Sequence, residues 1–127
     1  MKYLLDTCVL SELVRKSPEP AVVKWVDEQD EEDLYISVLT MGELVRGIER
    51  LSDSKKKARL RSWLEKDLCS RFEGRVLPVD VEVAAAWGAA QALAERAGEH
   101  VPAIDGLIAA TALAGGMTVV TRNTLER

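Results

Sequence analysis

The chain has 127 residues, of which 47% are hydrophobic and 30% are charged, and these proportions exclude a disordered chain and indicate one globular domain. The formal net charge of −4 argues against broad nucleic-acid binding by bulk electrostatics, so a polyanion would need a local basic patch. Because the two cysteines, Cys8 and Cys69, form no disulfide framework or metal-ligand pattern, and no apolar run is long enough to cross a membrane, we expect a reduced, cytoplasmic protein without a membrane segment.

The predicted elements alternate between short strands and longer helices. In chain order, the hydrophobic pattern predicts a strand at 2–5, helices at 7–15 and 21–29, a strand at 34–37, helices at 38–51 and 54–72, a strand at 75–79, helices at 81–97 and 103–114, and a strand at 117–120. Strands separated by helices are typical of a parallel sheet. The predicted fold class is therefore α/β, and ligands of such sheets bind beyond the carboxyl ends of the strands.

Four acidic residues interrupt apolar patterns near those strand ends. Asp6 ends the first strand, and Glu43 lies in the helix after the second strand. Asp105 opens a nearly all-apolar helix, which predicts that its side chain is buried. Glu126 follows the last strand, three residues after Asn123. If the strand prediction holds, these side chains lie along one edge of the sheet.

Gathered carboxylates need a cation between them. Two like charges about 4 Å apart repel by about 4 kcal/mol at an effective dielectric near 20. Oxygen ligands favour Mg²⁺ or Mn²⁺ over zinc. Hard cations in acidic pockets commonly serve phosphodiester hydrolysis, where the metal lowers the pKa of a bound water. The chain offers no Ser–His pairing and no GxSxG elbow as a rival nucleophile.

Each acid also has a structural alternative. Asp6 could be the N-cap of the helix that begins at Thr7. Glu43 lies three positions after Thr40, a spacing that permits a capping box. Asp105 could simply be an acid in a first helical turn, stabilised by the helix dipole. These alternatives remain open for the residues taken singly.

Four segments together resemble PIN-domain proteins, in particular the VapC-type ribonuclease toxins of toxin–antitoxin pairs and their FitB-like branch. The segments are LLDTCVLSEL, TMGELVRG, PAIDGLIAATAL and VVTRNT. The resemblance implies a three-layer α/β/α fold with a short central parallel sheet, and a single PIN domain over residues 1–127. It implies a Mg²⁺- or Mn²⁺-dependent endoribonuclease that cleaves tRNA or ribosomal RNA, and a homodimer. It also implies a VapB-like antitoxin whose tail lies in an apolar groove, with DNA contacted only through that antitoxin.

The resemblance also implies residue roles. Asp6, Glu43 and Asp105 match the catalytic, metal-binding acids of the family. Its fourth acid stands either at Asn123 or at Glu126, and we prefer Glu126 for its charge, with Asn123 as a neutral neighbouring ligand. Thr7 and Thr121 correspond to small polar residues that line the pocket.

Two departures from the family pattern qualify these roles. Cys8 stands where the family usually has Asn, which predicts weaker support of the pocket by hydrogen bonds. Family members usually continue past the position of Arg127 through a Phe and a short strand. The alternative function is therefore a catalytically degenerate PIN-fold binding module that acts through antitoxin or dimer contacts.

A basic run precedes Trp63 and is a candidate RNA interface. The candidate RNA contacts are Lys55, Lys56 and Lys57, together with Arg46 on the helix of Glu43. The alternative is a solvated helix face whose positive charges are balanced by neighbouring acids.

Overall fold

A parallel sheet lies at the centre of the fold. The computed structural model describes residues 1–125, and at residues 123 and 124 it describes the backbone alone; Glu126 and Arg127 lie outside the described residues. The strands are β1 (Tyr3–Leu5), β2 (Leu34–Ser37), β3 (Val76–Leu77) and β4 (Thr118–Val120). Their order is β3-β2-β1-β4, and each neighbouring pair is parallel. From β1 the chain adds β2 and β3 on one side and then crosses to add β4 on the other side. Ligands of open parallel sheets bind at such a reversal of strand order, here between β1 and β4.

The helices follow the predicted order with small changes at their ends. They are α1 (Thr7–Val14), α2 (Pro20–Glu28), α3 (Val38–Glu49), α4 (Lys55–Ser62), α5 (Cys69–Arg71), α6 (Val81–Arg96), α7 (Ala103–Gly115) and α8 (Arg122–Leu125). Helix α8 and a 3₁₀ turn at Glu31–Asp33 were not predicted, because elements of three or four residues show no recognisable period. No helix in the described part of the chain is long and apolar enough to span a membrane.

The two faces of the sheet are both covered, as the alternation along β1 shows. Leu5 packs into a cluster with side chains of α1, α2 and α3, whereas Leu4 packs with Ile108 and Ala112 of α7. Both leucines are fully buried, and successive side chains of a strand point to opposite faces. The α/β prediction and the three-layer α/β/α arrangement are therefore confirmed.

The helix predicted at 54–72 is present as three successive helical segments with different hydrogen-bond patterns. A π-helical segment, Trp63–Leu68, separates α4 from α5. The N–H of Cys69 donates to the carbonyl of Leu64, five residues earlier, which widens the turn. Leu64 and Leu68 are both buried in the core, while Trp63 is only partly buried. The sequence does not reveal this widened turn, because its apolar stripe also fits an ordinary helix.

Candidate active site and adjoining groove

Asp6 lies between β1 and α1, and it makes hydrogen bonds to the sheet and to the helix. Its backbone N–H donates to the carbonyl of Val120 on β4, at 3.1 Å. Its Oδ1 accepts from the N–H of Val9 at 3.0 Å, so Asp6 is the N-cap of α1. The capping alternative is thus confirmed, and the cap holds the carboxylate at the carboxyl edge of the sheet. Loss of hydration raises the pKa of Asp6, against the effect of the N–H groups of Val9 and Cys8.

Glu43 lies close to Asp6, on the first half of α3. Its Oε1 accepts a hydrogen bond of 2.6 Å from the hydroxyl of Thr7, the residue after Asp6. The negative charge of Glu43 contributes to the raised pKa of Asp6, as expected for two neighbouring carboxylates. The prediction that Asp6 and Glu43 lie near one another is therefore confirmed, and Thr7 is the hydroxyl between their elements.

The capping-box alternative for Glu43 is wrong. Ser37, the last residue of β2, is the N-cap, and its hydroxyl accepts from the N–H of Leu39 at 3.0 Å. Thr40 lies inside the helix and is fully buried. Helix α3 therefore begins three residues earlier than a cap at Thr40 would require, which leaves Glu43 available to the site.

The expectation that Asp105 is buried is wrong. Asp105 lies in the first turn of α7 and is exposed. The helix is apolar on every side, but most of its apolar residues are alanines, whose small side chains expose little apolar surface. It packs against the rest of the fold mainly through Ile108, Ala110 and Ala112. No group of three His, Cys, Asp or Glu residues among residues 1–125 is close enough to hold a metal. The structure thus brings Asp6 and Glu43 together, while the role of Asp105 as a ligand stays a prediction.

The fourth position cannot be placed in the same way. Glu126 lies outside the described residues, and the side chain of Asn123 is not described. Thr121 directly follows β4 and is partly buried, and its carbonyl accepts from the N–H of Leu125 at 3.3 Å. This bond starts α8 directly after β4, the strand whose Val120 accepts from the N–H of Asp6.

The donor atoms of this pair fit a hard divalent cation. Mg²⁺ is commonly bound through one or two carboxylates, with waters and substrate phosphate as its other ligands. Asp6 and Glu43 supply two carboxylates, and their mutual repulsion is the strain that a cation relieves. Desolvation and the charge of Asp6 raise the pKa of the Cys8 thiol, so the sulfur is protonated at neutral pH and is a poor metal ligand. The site therefore favours an oxygen-binding ion over zinc.

Glu12 of α1 is a further charged residue of this region that the sequence did not single out. Only 2% of the residue is exposed. It accepts hydrogen bonds from Nη1 of Arg15 at 2.7 Å, from Nη1 of Arg122 at 3.1 Å and from the N–H of Glu19 at 3.0 Å. The Glu19 N–H, followed by the two guanidinium groups, holds the pKa of Glu12 below its usual range despite burial. The available signal was its position three residues after the buried Val9, on the apolar face of α1.

A groove of about 880 Å³ runs from Glu43 between α1, α3 and α4. Thr7 and Glu43 lie in its lining. Its apolar lining residues are Val14, Leu44, Ile48, Leu51, Leu60 and Trp63. Its basic lining residues are Arg15, Lys16, Lys55, Lys56 and Arg59. A chain of net charge −4 thus concentrates five cationic side chains beside its candidate site, and we call this surface the basic groove.

The predicted RNA contacts divide into two groups. Lys55 and Lys56 line the basic groove, as the RNA interpretation requires. Arg46 is exposed on α3 and is not part of the groove lining. Lys57 is also absent from the lining, because its Nζ donates to the carbonyls of Glu49 at 3.3 Å and Leu51 at 3.1 Å. RNA contacts by Arg46 and Lys57 stay predictions, whereas no pattern in the sequence singled out Arg15 or Lys16.

Lys57 has a structural task that a substitution can measure. Its ammonium binds the carbonyls that end α3, and its side chain is only 12% exposed. We expect Lys57→Ala to lower the free energy of unfolding by about 1 kcal/mol, and the Tm by about 4 °C. Lys56→Ala, at the exposed neighbouring position, is the control and should leave Tm unchanged in the same calorimetric scan. An unchanged Tm for Lys57→Ala would contradict the structural role.

The fold and the site define the family of this chain. A family model described as the PIN domain matches residues 3–125, and the chain belongs to the PIN-domain family. It is 43% identical to Toxin FitB of Neisseria gonorrhoeae over 121 residues, which cover 95% of this chain and 87% of the relative. It is 38% identical to VapC ribonuclease Y4jK of Sinorhizobium fredii over 121 residues, 95% of this chain and 86% of the relative.

A solved structure agrees with these relatives. The crystal structure of FitAcB from Neisseria gonorrhoeae superimposes with a TM-score of 0.89 at 42% identity, covering 97% of this chain and 88% of that chain. The predicted resemblance to PIN-domain proteins of the VapC and FitB type is therefore confirmed.

Proposed function

We propose that the chain is a Mg²⁺- or Mn²⁺-dependent endoribonuclease and the toxin of a VapBC-type toxin–antitoxin pair. The observation that carries this proposal is the close pair of Asp6 and Glu43 at the carboxyl edge of the sheet, of which Glu43 lines the basic groove. The similarity to the VapC ribonuclease of Sinorhizobium fredii and to Toxin FitB supports it. The name of the first relative indicates the reaction, and that of the second indicates the biological role.

Asp6 and Glu43 would hold the divalent cation, with Asp105 and either Asn123 or Glu126 as the further ligands. The cation supplies Lewis acidity for hydrolysis of an RNA phosphodiester. The protein contributes orientation: the N–H of Val9 fixes the carboxylate of Asp6, and the hydroxyl of Thr7 fixes that of Glu43. Thr121 would line the same pocket from the end of β4.

The basic groove supplies the attraction for the substrate. Lysine and arginine side chains bind phosphates without regard to base sequence, so they position an RNA strand but do not select it. Lys55, Lys56 and Arg59 of α4 lie on one wall of the groove that Glu43 also lines. A strand bound along this wall would bring one of its phosphates to Asp6 and Glu43. The substrate class that we propose is tRNA or ribosomal RNA.

Two protein partners complete the proposal. The apolar residues of the groove, such as Leu44 and Ile48, suit the tail of a VapB-like antitoxin, which would contact DNA on behalf of the pair. Large apolar side chains are exposed on α6 and α7: Val81, Leu93, Ile104 and Leu113. A second copy of the chain would cover such side chains, which supports a homodimer. The proposed compartment is the cytoplasm, where both the antitoxin and the RNA are found.

A degenerate binding module is the second candidate function. Two points favour it: the resemblance to the family implies an Asn where Cys8 stands, and no group of three His, Cys, Asp or Glu residues within the described 125 residues is close enough to bind a metal. Such a module would bind antitoxin and RNA without cutting RNA.

Metal removal separates the two functions. We expect the purified chain to cleave total RNA in Mg²⁺ or Mn²⁺ and to lose at least about 100-fold in rate in EDTA, because Lewis acidity then disappears. Adding excess Mg²⁺ back should restore the rate, which excludes unfolding by the chelator. Cleavage that persists in EDTA would contradict the metal-dependent mechanism. Intact RNA under both conditions would favour the binding module.

A further inference from the structure

The buried carboxylate of Glu12 on α1 binds two arginines, one nearby in sequence and one near the other end of the described chain. Oε2 of Glu12 accepts from Arg15, one turn later in sequence, and from Arg122, which begins α8 after the last strand. Its Oε1 is occupied by the N–H of Glu19. A carboxylate that is 2% exposed is costly to bury unless such partners compensate its charge. This triple contact is more than a surface ion pair.

The two arginines lie at different parts of the candidate site. Arg15 lines the basic groove, and its side chain is 58% exposed. Arg122 follows β4 by two residues, where Val120 accepts from the N–H of Asp6, and its side chain is 39% exposed. Arg122 is thus two residues from the strand end that binds Asp6. One buried carboxylate therefore holds one guanidinium in the groove and another beside the acidic pair.

Guanidinium groups held in this way suit a phosphate backbone. Each has five N–H donors in a planar fork that matches phosphate oxygens. A side chain that is already fixed loses less entropy when it binds, so its contact is tighter than that of a free arginine. The partial exposure of Arg15 and Arg122 gives a polyanion access to both.

We infer that Glu12 is a positioning residue that holds Arg15 and Arg122 to bind phosphates of one RNA strand, Arg122 at the acidic pair and Arg15 further along the groove. The inference rests on the proposed function and deepens it, because it assigns residues to the substrate backbone. Without the charge of Glu12, both guanidinium groups lose the buried carboxylate that fixes them. Freely moving side chains bind phosphate more weakly, because each then loses more entropy on binding.

The slope of the salt dependence of RNA binding tests this role. A short fluorescein-labelled single-stranded RNA is titrated in EDTA, without cleavage, at several KCl concentrations, and anisotropy gives the Kd. For single strands, each phosphate contact contributes about 0.7 to the slope of log K against log[salt]. We expect Arg15→Gln with Arg122→Gln to reduce the slope by about 1.4. Glu12→Gln should reduce it by about the same amount, and adding it to the double variant should change nothing further.

The controls distinguish positioning from a general loss of structure. Glu28→Gln removes an exposed carboxylate, 4.0 Å from Lys24, and should keep the parent slope. Circular dichroism reports whether each variant is folded, and a purely structural role would lower Tm without changing the slope. If Glu12→Gln does not fold, Glu12→Asp, which keeps the charge but shortens its reach, takes its place. If neither folds, the double arginine variant decides.

The outcomes separate the inference from the function on which it rests. A parent slope for folded Glu12→Gln, or for the double arginine variant, overturns the inference while RNA cleavage by the parent chain stands. A parent chain that neither binds nor cleaves RNA overturns the proposed function and the inference together. Reduced slopes that are not additive, with a folded chain, support the inference, while cleavage by the parent chain in Mg²⁺ is the separate test of the proposed function.

Discussion

Asp6→Asn should abolish RNA cleavage and leave the chain folded and at least as stable as the parent. Asn retains the side-chain oxygen that caps α1 through the N–H of Val9, and Asn is as good an N-cap as Asp. It removes the negative charge that faces Glu43 and binds the cation. We expect the rate in Mg²⁺ to fall by more than about 100-fold, since even the supporting partners of metal ligands are worth 10–100-fold. The parent rate in Asp6→Asn would refute the assignment of the site.

The difference in stability between the parent and Asp6→Asn should depend on pH in a defined direction. The pKa of Asp6 is raised in the folded chain above its usual value of 3.8, so the folded state binds the proton more tightly than the unfolded state. The parent therefore loses stability as pH rises from about 3.8 through the raised pKa. In EDTA at pH 7, Asp6→Asn should melt at a higher temperature than the parent. The two Tm values should converge below pH 3.8.

Asp80 provides a matched control for both measurements. It is the N-cap of α6, and its Oδ1 accepts from the N–H of Val83 at 2.9 Å, the same local geometry as Asp6. It is exposed and does not line the basic groove. Asp80→Asn should keep the parent rate and Tm. If Asp80→Asn also lost cleavage, the effect at Asp6 would reflect helix capping and not the site.

Neutralising one wall of the basic groove should weaken RNA binding strongly. The variant combines Lys55→Gln, Lys56→Gln and Arg59→Gln, three groove residues of α4. Loss of three phosphate contacts removes about 2.1 from the salt-dependence slope, which is about 100-fold in Kd at about 0.1 M salt. Fluorescence anisotropy in EDTA measures both quantities. Because these side chains are exposed or lie at the surface of the groove, Tm should change little.

The control carries the same change in net charge on other surfaces. Lys24→Gln, Lys66→Gln and Arg96→Gln alter exposed residues of α2, the π-helical segment and α6, none of which lines the basic groove. We expect this control to keep Kd within about threefold, because exposed charges more than a Debye length away are screened. Equal losses in both triple variants would show that only net charge matters, and the groove would not be the RNA interface.

The strands and most helices could be predicted because their hydrophobic periods are long or their ends are marked. Asp6 was found at a strand end, and Glu43 after the next strand, because parallel strands place their carboxyl ends at one edge. The burial of Asp105 was predicted wrongly, since an apolar sequence shows which residues can be buried but not whether another layer covers them. Arg15 and Lys16 were missed because their place in a groove depends on how α1 packs against α3 and α4.

Glu12 shows a second limit of sequence reasoning. Its partners, Arg15, Glu19 and Arg122, include one residue 110 positions away, and no local pattern predicts such a contact. The three-residue spacing from Val9 indicates the face of the helix but not the ion pair. Lys57 shows the same limit. Its position in a basic run indicates a solvated charge, whereas its ammonium donates to carbonyls at the end of α3.

The central strand pairs the beginning of the chain with its end. β1 uses residues 3–5, and its partner β4 uses residues 118–120. Asp6 is therefore held at the sheet edge by a strand that is synthesised long after it, since Val120 accepts from its N–H. The candidate site cannot assemble until β4 has been made, so folding of the N-terminal segment alone does not form it.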